Sequence, residues 1–187
     1  MLTDRFVKAV RYANRAHHRQ LRKGTAVPYV SHLLGVAALV IDDGGSEDEA
    51  IAALLHDVVE DQGGLRRLAD VRRRFGAHVA AIVRGCTDAT TKPKPPWRAR
   101  KEEYIRHLRT ATDDILRVAA ADKLYNARAV LADYRDLGDR VWGRFDGRKN
   151  GTLWYYRTLA SVLADALPGR LTAELSRVVR TLVRTAR

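Results

Sequence analysis

One short stretch of the chain joins a histidine to three carboxylates. Residues 56–61 read His-Asp-Val-Val-Glu-Asp and follow directly on an apolar run. If the stretch is helical, His56 lies over Glu60 and Asp57 lies over Asp61, because residues four apart are neighbours on a helix surface. Ionisable groups at the edge of an apolar helix are costly to bury unless they are paired, hydrogen-bonded or bound to a metal. The stretch therefore predicts a cation site, although a solvated helix end would use the same residue types.

A histidine and an aspartate elsewhere fall where helical patterns require apolar residues. His32 lies on the apolar stripe of its predicted helix, where a histidine is more often a satisfied core residue than a ligand. Asp122 lies on an apolar face, and aspartate is rarely buried unless it is paired or ligating. With His56 and Asp57 they supply two nitrogen and two oxygen donors. That set suits a divalent transition metal with open positions, Mn²⁺ first and other divalent transition metals such as Fe²⁺ or Zn²⁺ after it.

The elements that must position these residues are all predicted to be helices. Apolar residues recur at steps of three and four along most of the chain, and no segment shows the alternation of a strand. The fold class is therefore predicted to be all-α, a compact helical bundle. The predicted helices span about residues 4–20, 28–42, 46–61, 65–75, 77–84, 98–111, 113–133, 152–166 and 171–187.

Capping residues and prolines set the expected boundaries of these helices. Thr3 and Asp113 are suited to cap the helices that follow them, and Ser46 with Glu49 has the spacing of a capping box. Residues 87–97 contain three prolines and two of the chain's lysines, which is too irregular for a tight turn. They are predicted to form a surface loop or flap.

Composition limits the kind of protein this is. A chain of 187 residues is expected to form a single domain over residues 1–187, and its formal charge of +12 attracts polyanions such as nucleotides, nucleic acid or an anionic membrane. The only cysteine, Cys86, excludes an internal disulfide. No stretch has the pattern of a signal peptide or a membrane span. A cytoplasmic protein without a membrane partner is predicted.

The order and spacing of several short patterns resemble a known enzyme family. The first pattern resembles that of the HD-domain metal-dependent phosphohydrolases: His32 comes first, His56-Asp57 follows, and Asp122 comes last. A closer resemblance, over about residues 5–135, is to the hydrolase half of RelA/SpoT enzymes and to stand-alone small alarmone hydrolases. The segments that carry it are Arg22-Lys23, Pro28-Tyr29 with His32, residues 56–61, Phe75-Gly76 with Val79-Ala80, and Asp122-Lys123-Leu124-Tyr125-Asn126.

This resemblance implies a reaction and a metal centre. The family is typically Mn²⁺-dependent and removes pyrophosphate from the 3′ position of guanosine tetra- or pentaphosphate. The metal ligands implied are His32, His56, Asp57 and Asp122. Glu60 and Asp61 are implied to organise water and transfer protons, which agrees with the need for a carboxylate beside a metal-activated water.

The resemblance also implies contacts to a small-molecule nucleotide substrate. Arg22 and Lys23 match a basic pair that lies beside the substrate, where an Arg fork and a Lys point charge can hold pyrophosphate oxygens. Asn126 matches a residue that hydrogen-bonds the sugar region, and a helix-surface Asn is its alternative. Tyr155 is placed near the base or sugar, with a core aromatic as an equal alternative.

Two alternatives remain open at this stage. One is an HD phosphohydrolase that acts on another nucleotide, of the ppApp, deoxynucleotide or NADPH type. The other is a non-catalytic helical protein that binds nucleic acid through its Arg-rich helices, residues 65–75 and 171–187. No recognised nucleic-acid motif accompanies those charges, so a nucleic-acid partner is not expected. The sequence leaves the preferred nucleotide, the metal used, the role of residues 87–97 and association into a homo-oligomer undecided.

Overall fold

The computed structural model describes residues 1–89 and 93–186, and within them it confirms the all-α fold class. No strand occurs in these two ranges, apart from an isolated bridge between Leu21 and Pro28. The helices are α1 (Asp4–Ala16), α2 (Val30–Asp42), α3 (Glu47–Leu55), α4 (Val58–Gln62), α5 (Gly64–Phe75), α6 (Ala77–Cys86), α7 (Trp97–Leu108), α8 (Asp113–Leu137), α9 (Arg148–Ala166) and α10 (Arg170–Thr185), with a 3₁₀ helix at Gly138–Arg144.

Helix α8 is the central element of the bundle. It packs against α2, α3, α6, α9 and α10, so its apolar residues lie in the middle of the core. Residues 118–121 are at most 1% exposed, and residues 50–55 of α3 are fully buried. The apolar run of α3 was predicted to be buried on most sides because nearly every position is apolar. This arrangement brings α2, α3 and α8, which carry the predicted metal ligands, into mutual contact.

Several predicted helix ends differ from the structure. Helix α1 ends at Ala16 rather than near residue 20, because Tyr29 N–H bonds to Gln20 C=O and folds residues 17–29 into a loop. Helices α8 and α9 are longer than predicted. A 3₁₀ helix at Gly138–Arg144 lies between them. The residue that caps α8 is Thr112, not Asp113. Thr3 caps α1 and the Ser46–Glu49 capping box of α3 is present, as predicted.

The acidic stretch does not continue one straight helix. A turn at His56 and Asp57 separates α3 from the five-residue α4, which carries Glu60 and Asp61. Both turn residues keep right-handed helical φ and ψ values. The His56 ring nitrogen Nδ1 bonds to the Ala53 carbonyl, which takes the place of a backbone donor at the end of α3.

A glycine allows α2 and α8 to approach closely. A Cβ atom at Gly35 would overlap the Tyr125 ring, so only glycine fits at this crossing. His32 lies one turn before Gly35, and Asp122 lies one turn before Tyr125. The close crossing therefore sets the separation of the two helices that carry these buried polar residues.

At the opposite end of the bundle, His78 joins the N-termini of three helices. Its Nδ1 lies 3.1 Å from Asp48 of α3 and its Nε2 lies 2.8 Å from Asp114 of α8. Hydrogen bonds to these two carboxylates raise the pKa of His78 above its ordinary value of 6.5. The imidazolium is thus favoured in the folded protein.

We expect His78 to contribute stability at acidic and neutral pH only. Its folded pKa is raised, so the contribution is complete below the unfolded pKa and is lost as pH rises through the folded pKa. The melting temperature of a His78→Gln variant should fall below that of the wild type at pH 6, and the gap should close at alkaline pH. His107→Gln, at an exposed position of α7, is the matched control. A gap that is independent of pH would contradict this assignment.

The predicted surface loop is described only at its two sides. Residues 87–89 and 93–96 are non-helical, as expected, while Trp97 is already the first residue of α7. Residues 90–92 lie outside the described residues, as does Arg187 at the end of the last predicted helix. Among the described helices, none is both long enough and apolar enough to cross a bilayer.

Candidate metal centre and substrate cleft

Four side chains converge at the junction of α2, the α3–α4 turn and α8. His32 Nε2 lies 3.3 Å from His56 Nε2 and 3.3 Å from Asp122 Oδ1. His56 Nε2 lies 2.9 Å from Asp57 Oδ2 and 3.6 Å from Asp122 Oδ1. Donor atoms of His32, His56 and Asp57 all lie within 4.8 Å of one another. The structure thus brings together the four residues predicted as metal ligands.

The surroundings of His56 suit a metal. The His56 Nδ1 atom lies 2.7 Å from the Ala53 carbonyl, which can only accept, so in the neutral imidazole Nδ1 carries the proton and Nε2 can offer its lone pair to a cation. Burial opposes charge on His56, yet Asp57 and Asp122 raise its pKa well above the ordinary value. The two carboxylates therefore draw positive charge into the cluster. A divalent cation would balance both of them, and the donor set fits one.

Asp122 is oriented by two neighbours on its own helix. Its Oδ2 accepts a hydrogen bond from Lys123 Nζ at 2.5 Å, and its Oδ1 accepts one from Asn126 Nδ2 at 2.5 Å. Burial would raise the pKa of Asp122, but Lys123 and His32 hold it well below the ordinary value. Asp122 therefore stays ionised, with Oδ1 facing the two histidines.

Asp57 is oriented by a tyrosine from the loop before α2. The Tyr29 hydroxyl donates to Asp57 Oδ2 at 2.6 Å, and the Tyr29 ring stacks on His17 at a centroid distance of 5.2 Å. Burial, together with the charge on Asp57, raises the pKa of Tyr29, so its hydroxyl remains a donor. Tyr29 thus fixes the carboxylate that faces both histidines.

We expect a Tyr29→Phe variant to bind Mn²⁺ about 10- to 100-fold more weakly, the usual cost of removing a group that orients a ligand. Calorimetric titration with Mn²⁺ measures the change. Tyr12→Phe is the matched control, because the Tyr12 hydroxyl also donates to a carboxylate, that of Asp70, but away from the cluster. If the two variants bind Mn²⁺ with equal affinity, Tyr29 does not orient a metal ligand.

Glu60 lies at the edge of the site, in contact with the irregular segment before α7. Lys94 Nζ donates to Glu60 Oε1 at 2.6 Å. Burial and the nearby Asp88 raise the pKa of Glu60, although Lys94 opposes this. Burial would also raise the pKa of Asp88, but Lys101 and Arg100 lower it to about 2. Glu60 is thus the more readily protonated carboxylate of the two.

Asp61 occupies the other side of α4. Its Oδ2 accepts a hydrogen bond from Gln20 Nε2 at 2.7 Å, and Gln20 in turn accepts one from Gln62. Burial and the charge on Asp57 raise the pKa of Asp61. Both carboxylates of α4 are therefore tuned toward proton exchange at a pH nearer neutrality than a free carboxylate would be.

A cleft of about 930 Å³ opens over this centre, which is within the range of small-molecule sites. Tyr29, Lys123 and Asn126 line it and hydrogen-bond to the carboxylates of the cluster, so the predicted metal ligands lie directly behind its wall. Every residue predicted for catalysis or substrate binding lines this one cleft, namely Arg22, Lys23, Glu60, Asp61, Asn126 and Tyr155.

The four residues predicted to bind substrate occupy different depths of the cleft. Arg22 donates to Asn126 Oδ1 at 2.8 Å, so Asn126 links Arg22 to Asp122. Lys23 lies at the rim, with a 65% exposed side chain and its Nζ 3.7 Å from Asp146. Tyr155 is 7% exposed, has a hydroxyl without a partner among the described residues, and lies under Lys101 at 4.9 Å.

Some residues at the centre were not assigned a role from the sequence. Tyr29 and Lys123 appeared only as parts of longer patterns, and Gln20 and Asp88 did not appear at all. Two further cations near the loop, Arg98 and Arg100, are already paired within the protein. In the structure Arg98 pairs with Glu102 and lies over Trp154, and Arg100 pairs with Asp88.

With the helical fold and the four-donor cluster described, comparison with known proteins assigns the family. Residues 9–152 match the HD domain family, and the chain belongs to it. The resemblance to RelA/SpoT hydrolases is confirmed.

Two named relatives and one solved structure show which proteins of this family the chain is similar to. The guanosine-3′,5′-bis(diphosphate) 3′-pyrophosphohydrolase of Xenopus tropicalis is 38% identical over 125 residues, which are 65% of this chain and 67% of that protein. The enzyme of the same name from Aquifex aeolicus is 32% identical over 126 residues, 66% of this chain but only 17% of that much longer protein. A solved structure described as a metazoan ortholog of SpoT that hydrolyses ppGpp matches with a TM-score of 0.81 and 25% identity, over 100% of this chain and 99% of that one.

Proposed function

We propose that this chain is a metal-dependent 3′-pyrophosphohydrolase of guanosine 3′,5′-bis(diphosphate) and its pentaphosphate analogue, releasing pyrophosphate with GDP or GTP. The proposal rests chiefly on the four donor residues behind a single cation-lined cleft. It is supported by the names of relatives in which that activity is recorded. We also propose that residues 1–187 act as one hydrolase domain.

The proposed ligands of the metal are His32, His56, Asp57 and Asp122. When bound, a divalent ion would lower the pKa of a water and polarise phosphoryl oxygens. We propose Mn²⁺ as the ion used, because the two carboxylates suit a hard divalent ion and the two imidazole nitrogens favour a transition metal over Mg²⁺ or Ca²⁺.

The chain's own groups supply the remaining chemistry. Glu60 and Asp61 have raised pKa values, so either can accept a proton from the attacking water and return it to the 3′ oxygen of the ribose, which leaves as the P–O3′ bond breaks. Lys94, which holds Glu60 through one oxygen, leaves the other carboxylate oxygen available.

Positioning of the substrate falls to the walls of the cleft. Arg22 and Lys23 supply positive charge on one side for the phosphates, and Lys101 supplies it on the other. Tyr155 and Trp97 line the same cleft and offer aromatic surface to a base or sugar. The cavity is closed by protein on the side of the metal ligands, which strengthens every charge interaction there.

The test is turnover of guanosine 3′,5′-bis(diphosphate) by the purified protein with added Mn²⁺, beside a chelated control and a panel containing ppApp, deoxynucleoside triphosphates and NADPH. Anion exchange resolves the products. We expect GDP with intact pyrophosphate, and no product in the chelated control. If the protein cleaves only another nucleotide of the panel, the proposed substrate is wrong, while the proposed metal centre is not contradicted.

The metal and the location are finer parts of the same proposal. Higher turnover with Mn²⁺ than with Zn²⁺ or Mg²⁺ at equal saturation would support Mn²⁺, and the reverse order would contradict it. We propose a cytoplasmic location, where reducing conditions suit the free and only partly buried thiol of Cys86.

A further inference from the structure

A second concave surface lies on another face of the protein, between α1 and α5. This basic groove has a volume of about 530 Å³ and shares no lining residue with the substrate cleft. Five cationic side chains line it, namely Lys8, Arg11 and Arg15 from α1 and Arg67 and Arg74 from α5. The only acidic side chain in its lining is Asp70.

Helical spacing makes these cations converge. Lys8, Arg11 and Arg15 are three and four residues apart, so they follow one face of α1 over a distance of about 10 Å. Arg67 and Arg74 are seven residues apart and follow one face of α5. Two rows of positive charge thus face each other across the groove, at a length that matches a few linked phosphates rather than a long strand.

Little in the protein neutralises this charge. Within residues 1–89 and 93–186, only one of the five cationic side chains makes an ion pair. Arg74 Nε lies 3.0 Å from Asp70 Oδ1. Arg67 donates to the Gln62 carbonyl, which carries no net charge. Like charges four residues apart on a helix destabilise it, so an anion in the groove would relieve a repulsion already present.

The floor of the groove is formed by side chains that contact one another. Tyr12 and Phe75 pack edge to face with ring centroids 5.7 Å apart. The Tyr12 hydroxyl donates to Asp70 at 2.9 Å, and the Arg74 guanidinium lies 5.7 Å above the Tyr12 ring. These contacts hold Arg74 in place before any ligand arrives, which lowers the entropy cost of binding.

We propose that the basic groove is a second anion site, which takes a small ligand with several linked phosphates, either free or as the tail of a nucleotide. The proposal is independent of the reaction assigned to the cleft. Linked phosphates suit opposed arginines because guanidinium groups bind phosphate oxygens in pairs. A polynucleotide fits less well, because the Tyr12 ring is committed to Phe75 and Arg74 and leaves no platform on which bases could stack.

Calorimetric titration of the full chain with inorganic tripolyphosphate tests this. The wild type should show two binding events, one in the cleft and one in the groove. In the double variant Arg11→Glu/Arg15→Glu the second event should weaken by at least about tenfold, since two charge-assisted contacts are reversed. The matched control is Arg66→Glu/Arg72→Glu, which makes the same change of net charge at exposed positions of α5 outside the groove.

The control variant should keep both events. If it loses affinity as much as the groove variant does, the effect is one of net charge and the site does not exist. A wild type with a single event that Arg11→Glu/Arg15→Glu leaves unchanged would also overturn the proposal. The milder Arg11→Gln/Arg15→Gln variant should lose affinity for tripolyphosphate in the groove and keep it in the cleft. This variant keeps the proposal testable if the double charge reversal unfolds α1.

Two further titrations distinguish the ligand classes. ATP, titrated without divalent ions, should bind the groove at least as tightly as tripolyphosphate. Equal affinity for ATP and tripolyphosphate would show that the groove recognises the phosphate chain alone. Tighter binding of ATP would show that the nucleoside also contacts the groove. If single-stranded RNA binds in the groove while tripolyphosphate does not, with an affinity that falls steeply with salt, the surface is a nucleic-acid site and the small-anion proposal is wrong.

Discussion

A His56→Ala variant is expected to lose both metal and hydrolysis. The imidazole is one of the four proposed metal donors, and its Nε2 lies 3.3 Å from His32 Nε2 and 2.9 Å from Asp57 Oδ2. Without it, two carboxylates face a single histidine, and the cation is held by fewer ligands. Since the metal contributes several kcal/mol to stabilising the transition state, turnover should fall by about 10³-fold or more.

Metal content by mass spectrometry and turnover in excess Mn²⁺ are measured on the same preparation. His107→Ala is the matched control, because His107 is exposed on α7 and lies outside the centre. Its metal content and turnover should equal those of the wild type. Full activity in His56→Ala would defeat the assignment of the metal centre. A melting curve separates loss of metal from loss of fold.

The second large effect is expected at Glu60. A Glu60→Gln variant keeps the size of the side chain and a partner for Lys94, yet it cannot accept a proton. Turnover should fall by about 10²-fold or more, the usual contribution of a proton-transfer group, while the Mn²⁺ content stays that of the wild type. Glu103→Gln, an exposed glutamate paired with Arg106 on α7, is the control. An unchanged rate in Glu60→Gln would exclude Glu60 from the mechanism.

The pH profile provides an independent check on Glu60. A general base must be ionised, so kcat/KM falls as pH drops through its pKa. Burial and Asp88 raise the pKa of Glu60, which places the acidic limb above the ordinary glutamate value of 4.5. The limb should be lost in Glu60→Gln. A wild-type acidic limb at or below the ordinary value would contradict a role for Glu60 as the base.

Much of the centre could be predicted from the sequence because its ligands break helical patterns. Asp122 lies among apolar residues on α8, and burial of 93% of its surface follows from that position. His32 on α2 is fully buried for the same reason. Helical periodicity decides which face a residue occupies, and polar residues on a buried face need a partner. The order of the ligands along the chain then led to the family.

The contacts that tune the centre could not be predicted in this way. Tyr29 meets Asp57 only because residues 17–29 fold back on themselves, and Lys94 reaches Glu60 across 34 residues. Both contacts depend on how loops are placed by tertiary packing. The break between α3 and α4 at His56 was also missed, because an apolar run followed by polar residues has the same pattern whether one helix continues or a second begins.

The proposed reaction requires one metal held by four side chains. A crystal grown with Mn²⁺ and measured at the manganese absorption edge shows where the ion binds. The structure predicts one strong anomalous peak, within coordination distance of His32, His56, Asp57 and Asp122 together. A peak elsewhere, or no peak in a preparation that hydrolyses guanosine 3′,5′-bis(diphosphate), would contradict the account.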